Sequence, residues 1–265
     1  VLASCDCTSV ALAFVISIAL STLGLHAVGI GRRSQVRLIR GIAVASGALA
    51  LGVGVWAMHF IGMLALRLCA TVTYDLLLTL LSVLPSLFAA WVALDLIIGS
   101  VVSNRQLIVS GVLVGAGIGA MHYLGMQAMV MTPLLRYQPV WFALSIVVAV
   151  GLAILSLWIG YSKISEKFAK WQRLLVSGVV MGCAISGMHY TAMRAAVFLG
   201  EATSDVPIAP EGTWAMTASI TVGTLLLGLI VLGVNIFVRN RELTRLAIEA
   251  RRELAVSVEK LKLSE

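Results

Sequence analysis

Three of the four histidines in this chain stand in one repeated phrase: "MHFIGM" from Met58 to Met63, "MHYLGM" from Met121 to Met126 and "MHYTAM" from Met188 to Met193. His59, His122 and His189 are each followed four residues later by a methionine, Met63, Met126 and Met193, which on a helix lies on the same face one turn on. Neutral imidazole and thioether are the ligands expected of copper, with methionine favouring Cu(I) and histidine serving either oxidation state. Zinc accepts three histidines and a water, but a thioether adds nothing for it. Two histidines at one depth on different helices can also ligate haem iron. No carboxylate stands at the motif level, which argues against calcium, magnesium and manganese; Asp6 and Asp75 lie only near the surface. Met58, Met121 and Met188 precede each histidine and point about 100° away, so they rank below the i+4 set as ligands. A single such histidine would read as a hydrogen bond between helices and its methionine as core filler. Three copies favour a shared site, because intramembrane ionisable groups are costly and functional by default.

The elements that carry these phrases are membrane spans. The chain is 60% hydrophobic and 12% charged over 265 residues, outside the range of soluble domains. Apolar runs long enough to cross a bilayer recur from end to end. Seven spans are expected, at 9–30, 41–66, 76–100, 107–131, 140–161, 174–200 and 213–238. One set of connecting loops holds Arg32, Arg33, Arg37, Arg40, Arg105, Lys163, Lys167, Lys170 and Arg173; the other holds Arg67, Arg136 and Arg194 and the acidic "EATSDVPIAPEG". The basic side is expected to be cytoplasmic, with the N-terminus outside and the C-terminus inside. The net charge of +7 then belongs to loops facing anionic lipid rather than to nucleic acid. Trp141 and Trp214 suit an outer aromatic belt and Trp171 an inner one. The chain opens on Val1, and the first span can serve as its own insertion signal. Cys5, Cys7 and Cys69 fall on the outer side, where disulfides are permitted.

His59 to His122 is 63 residues and His122 to His189 is 67, each the length of two spans with their loops. The motif helices therefore share one orientation, and a pseudo-threefold about the membrane normal is expected, made of three parallel two-helix repeats. Spans three, five and seven are expected to return from the motif helices and span one to be left over outside. All three histidines sit roughly 22–27 Å from the basic edge at 1.5 Å per residue. Gly52, Gly115 and Gly182 lie seven residues before the histidines, Gly111 and Gly178 eleven before. These small residues are expected to bring the three motif helices together on the axis. Tyr123 and Tyr190 can orient a histidine from behind and Arg194 can attract a small anion, whereas Phe60 offers no hydroxyl. His26 is at the wrong depth for the site.

"WAMHFIGM", "GAMHYLGM" and "SGMHYTAM" resemble the repeated motif of the MHYT family, bacterial integral-membrane sensory domains. The resemblance covers spans one to seven; Phe60 in place of tyrosine and Ala192 in place of glycine depart from it. It implies a seven-helix sensor in the bacterial inner membrane that binds copper and senses a diatomic gas (O₂, CO or NO) or redox state. It also implies an output domain that makes or degrades cyclic-di-GMP. Residues 1–238 are then the sensor domain and 239–265 a linking helix. That tail is charged, free of glycine and proline and rich in helix formers, with Leu243, Ala247, Ala250, Leu254, Ser257 or Val258, and Leu261 along a near-heptad seam. It suits a homodimeric signalling helix leading to an output domain. No nucleophile–base pair, phosphate loop or carboxylate pair occurs, so this chain is not expected to be an enzyme. A haem-b electron carrier and a metal or proton transporter are the competing classes.

Overall fold

The computed structural model describes residues 3–68, 72–99, 101–131, 134–162, 167–200 and 212–262. Cys69, Lys163, the acidic loop 201–211 and the side chains of Cys5 and Leu261 lie outside the described residues. Eight helices are described: α1 (Cys7–Gly31), α2 (Arg37–Leu64), α3 (Leu76–Leu81), α4 (Val83–Leu96), α5 (Asn104–Gln127), α6 (Pro139–Tyr161), α7 (Lys170–Ala195) and α8 (Thr213–Lys262). Short strands flank them: β1 (Ala3–Cys5), β2 (Leu66–Leu68), β3 (Thr73–Tyr74), β4 (Met129–Val130), β5 (Leu134–Tyr137) and β6 (Ala196–Leu199). α3 and α4 are one span broken at Ser82. Pro85 has no N–H and crowds the carbonyl four residues back, which interrupts the helix there. The buried Thr79 carbonyl accepts from Trp56 Nε1 at 2.8 Å and from Ser82 Oγ at 2.7 Å. Among the described residues there are thus seven helical segments long and apolar enough to cross a membrane. It is an all-α membrane protein whose strands are only clasps.

Those clasps define the repeat. β1 pairs antiparallel with β2, β3 with β4, and β5 with β6. Each clasp closes a hairpin of one entering helix and one motif helix: α1 with α2, α3–α4 with α5, and α6 with α7. Beside each strand pair the same backbone bond recurs: Asp6 N–H to Ala65 O at 2.9 Å, Asp75 to Ala128 at 2.8 Å and Gln138 to Ala195 at 2.9 Å. Each acceptor lies six residues after a histidine. Asp6 and Asp75 are helix caps, accepting from Ser9 N–H at 3.0 Å and from Leu78 N–H at 2.8 Å, which satisfies donors that a helix start leaves free. Bonds from the Ser9 hydroxyl and backbone hold the Asp6 carboxyl below its ordinary range.

The three hairpins close into a ring in the order α1, α2, α4, α5, α6, α7, with α7 packed back on α1. The motif helices α2, α5 and α7 also touch one another across the middle. The architecture is three parallel two-helix repeats around a pseudo-threefold, plus one extra helix. The extra helix is α8, which lies outside against α2 and α1, not the first span as expected. A 63–67-residue period fixes the length of a unit but not where the unit begins; the strand clasps set that boundary, and they place α1 inside the ring.

The glycines confirm the cyclic order and correct a second expectation. A Cβ on Gly52 would meet the Leu87 backbone of α4 at 2.9 Å; on Gly115, the Val150 backbone of α6 at 2.6 Å; on Gly182, the Ile18 backbone of α1 at 3.0 Å. Gly111 likewise faces Ile154 and Gly178 faces Thr22. These bare positions bind each motif helix to the entering helix of another hairpin, rather than binding the three motif helices to each other.

Candidate metal centre

His59, His122 and His189 come to one point. Their Nδ1 atoms are 3.0 Å apart between His122 and His59, and 3.3 Å apart in the other two pairs. The imidazole planes stand at 77–82° to one another, like blades of a propeller. All three residues are 1–2% exposed. The rings reach the axis because each lies over a bare stretch of the neighbouring motif helix. A Cβ on Gly125 would meet Cδ2 of His59 at 2.7 Å, and one on Gly62 would meet Nε2 of His189 at 2.8 Å. The third such position is Ala192, fully buried.

Three neutral imidazoles cannot satisfy this arrangement by hydrogen bonds. Each Nδ1 either carries a proton and donates or bears a lone pair and accepts. In a ring of three, at most two contacts can run from donor to acceptor, and the third sets like against like. A cation at the centre accepts all three lone pairs at once. The three nitrogens lie about 1.9 Å from their common centre, close to the 2.0–2.1 Å of a metal–imidazole bond. These histidines form a cluster that can bind a metal ion. Haem fits the spacing poorly, since two imidazoles on opposite faces of an iron stand about 4 Å apart, twice a metal–nitrogen bond. Nε2 of His59 and of His122 are buried without a side-chain hydrogen-bond partner among the described residues.

Above and below the triad the chemistry differs. Met63, Met126 and Met193, one turn toward the strands, gather in one cluster with Val72 and Met129. Met58, Met121 and Met188 are instead packed in the main core, 0–1% exposed, and the Met188 methyl lies 3.7 Å from the Cβ position of Gly119. One turn the other way, four residues before each histidine, stand Val55, Ile118 and Ile185, all at most 2% exposed. This apolar floor escaped attention in the sequence, although the aliphatic residue at −4 recurs in all three motifs.

The motif aromatics edge against their own histidines at centroid distances of 4.8–5.0 Å. Phe60 turns outward to Trp56 and Tyr74, and Tyr123 to Tyr137 and Phe142. The Tyr123 hydroxyl bonds Ser145 Oγ of α6 at 2.8 Å, so it braces the ring of helices and reaches no imidazole nitrogen. Burial pushes the Tyr137 hydroxyl up to about 12. Arg194 is exposed, with its guanidinium 5.7 Å from the Trp141 ring; it stands outside the triad's surroundings. His26 lines a cleft at the basic end, far along α1 from the clasps. Cys7 and Cys183 are free.

The bacterial signalling protein N terminal repeat, MHYT, matches residues 52–111, 115–177 and 182–250. Each match opens on a motif-helix glycine; the first two run through the next entering helix, a permuted frame of the unit the clasps define, and the third runs into the extra helix α8. The chain is 37% identical over 223 residues to the bifunctional diguanylate cyclase/cyclic di-GMP phosphodiesterase MucR of Pseudomonas aeruginosa, covering 76% of this chain and 32% of that protein. It is 33% identical over 170 residues to the signaling protein YkoW of Bacillus subtilis, covering 63% and 20%. It is 34% identical over 152 residues to the cyclic di-GMP phosphodiesterase NbdA of Pseudomonas aeruginosa, covering 57% and 19%. The chain thus spans a third or less of the length of these relatives. No solved structure matches it. With three matched repeats over most of its length and one histidine from each meeting at the axis, the chain belongs to the MHYT family of bacterial signalling proteins.

Proposed function

We propose that this chain is a membrane-embedded sensor in which His59, His122 and His189 hold one copper ion and report its state to a cytoplasmic output domain. The carrying observation is the convergence of three buried Nδ1 atoms within 3.3 Å. Copper is preferred over zinc because Met63, Met126 and Met193 cluster on one side of the triad, where thioethers suit Cu(I). A bound copper ion would supply a redox change or a coordination position for O₂, CO or NO. The histidines hold the site, the methionine cluster shields it, and the aliphatic floor excludes water from beneath. Val55, Ile118 and Ile185, with Leu51, Val114 and Met181 a further turn down, are all at most 3% exposed. That apolar packing argues against a transport path through the axis.

The output is proposed from the relatives, whose names include diguanylate cyclase and cyclic di-GMP phosphodiesterase. On this reading the basic end is cytoplasmic, residues 1–238 sense and residues 239–265 link. Two copies pair through the tail, where Leu243, Leu254 and Val258 of the seam are 44–66% exposed. Metal analysis of protein purified without imidazole, then loaded anaerobically with Cu(I), tests the reading. About one copper per chain is expected; zinc bound in its place, or no metal, overturns it.

A further inference from the structure

Where α8 leaves the bundle, it helps enclose a cleft of about 720 Å³ with the basic end of α1 and the start of α7. The cleft is lined by Arg32, Arg33, Lys170, Arg173 and Arg239, against which the described lining sets a single carboxylate, Glu242. Its remaining walls are aliphatic and aromatic, among them Leu25, Ile30, Leu174 and Trp171. Arg32 is already committed to the fold: it donates to Ile97 O at 2.7 Å and lies 5.2 Å over the Tyr161 ring. Arg33 follows the end of α1, Lys170 opens α7 and Arg239 lies on α8.

We infer that this cleft binds the phosphate of an anionic phospholipid, with part of its acyl chain against the apolar wall. Several fixed cations around one space repel each other unless an anion sits among them, and Arg and Lys both bind phosphate. The apolar wall discriminates between sources. A free phosphate would leave that surface wet, whereas a lipid covers it, and the site stands at the level where α1 ends and basic loops begin, the headgroup level of a span. Trp171 is 63% exposed, as expected of a ring meeting the interface. Because α8 supplies Arg239, Glu242, Leu243 and Leu246 to the cleft, a bound lipid ties the outer helix to α1 and α7. The site stands whether or not the triad holds copper.

The test uses the whole chain in mild uncharged detergent, with binding followed by the fluorescence that Trp171→Phe removes. The probes are dihexanoyl-phosphatidylglycerol, dihexanoyl-phosphatidylcholine, glycerol phosphate and inorganic phosphate. Phosphatidylglycerol should bind at least about tenfold more tightly than phosphatidylcholine, and an Arg33→Gln, Lys170→Gln, Arg239→Gln triple variant should lose about a hundredfold at low salt. The variant's metal content and melting temperature, read in the same samples, should match the parent and show that it folds. Equal binding of the two lipids, or undiminished binding by a folded triple variant, overturns the site. Glycerol phosphate or inorganic phosphate binding as tightly as the lipid overturns the lipid as its occupant.

Discussion

The motif helices and α8 are built from similar apolar residues and are placed in opposite ways. In α2 and α5, 56% of the most apolar window is buried, and in α7 50%; in α8 it is 22%. Each motif helix is held by its own hairpin, by an entering helix of another hairpin and by its two fellows on the axis. α8 has one main partner, α2, and a lesser one, α1. A threefold core alone favours no direction, so any asymmetric readout must come from the element that breaks the symmetry. α8 does so, and it rests on the helix that carries His59.

The largest effect should come from filling the glycines that hold the ring. Gly111→Leu or Gly115→Leu drives a side chain into the backbone of α6, where Ile154 Cα and Val150 Cα stand 2.6 Å from the new Cβ. Backbone cannot step aside as a side chain can, so a loss of about 3 kcal/mol or more is expected, at or beyond the top of the usual overpacking range. At Gly223 and Gly233 in α8 a new Cβ meets nothing within 4 Å, so Gly223→Leu and Gly233→Leu should melt within a few degrees of the parent. Thermal unfolding of all four in detergent makes the check, and equal melting would show that the ring is no tighter than the outer helix.

Next in size are the ligands. His59→Ala, His122→Ala and His189→Ala should each leave a folded protein whose copper affinity falls by more than the 10–100-fold typical of losing an outer-shell partner. His26→Ala, at the other end of α1, should keep full metal content. Copper measured per chain decides this, and retention by all three single variants would mean that the triad is not the site.

These two sets mark what was legible in the sequence and what was not. The triad was readable because a metal site needs particular side chains at one depth, and a rare residue repeated at 63 and 67 residues reports both. The glycine stripe was assigned to the wrong neighbour. Helical phase puts −7 and −11 close to the histidine direction, yet the imidazole spans a gap that a bare glycine cannot, so the axis is filled from −4 and +3 while −7 meets the next hairpin. The leftover helix was misplaced because hydropathy treats α1 and α8 alike. What distinguishes them is the strand before α1, only three residues long, paired with a strand more than 60 positions away in sequence.

The smallest energetic effect should fall on Asn235, and it tests whether the outer helix reads the core at all. Asn235 is 2% exposed between α8 and α2. Its Oδ1 accepts from Ser46 Oγ at 3.4 Å, while its Nδ2 has no partner among the described residues. Ser46 can also turn to the Ala43 carbonyl at 3.3 Å, so losing the asparagine strands nothing on α2. Hydrogen bonds between membrane helices contribute about 0.6 kcal/mol on average, and Asn235→Leu exchanges that for apolar contact and an unpartnered amide removed. Stability should change by no more than about 1 kcal/mol, and metal content should not change. A lone polar residue in an apolar helix contact fixes register at some cost in stability, and that register is what should be lost. With spin labels at exposed tail positions such as Ile248, the parent should show a distance between copies that shifts on copper loading. In Asn235→Leu the distribution should broaden and cease to follow the metal. A shift that persists unaltered in the variant would mean that α8 does not take its position from α2, and the route from His59 to the tail would have to run through α1.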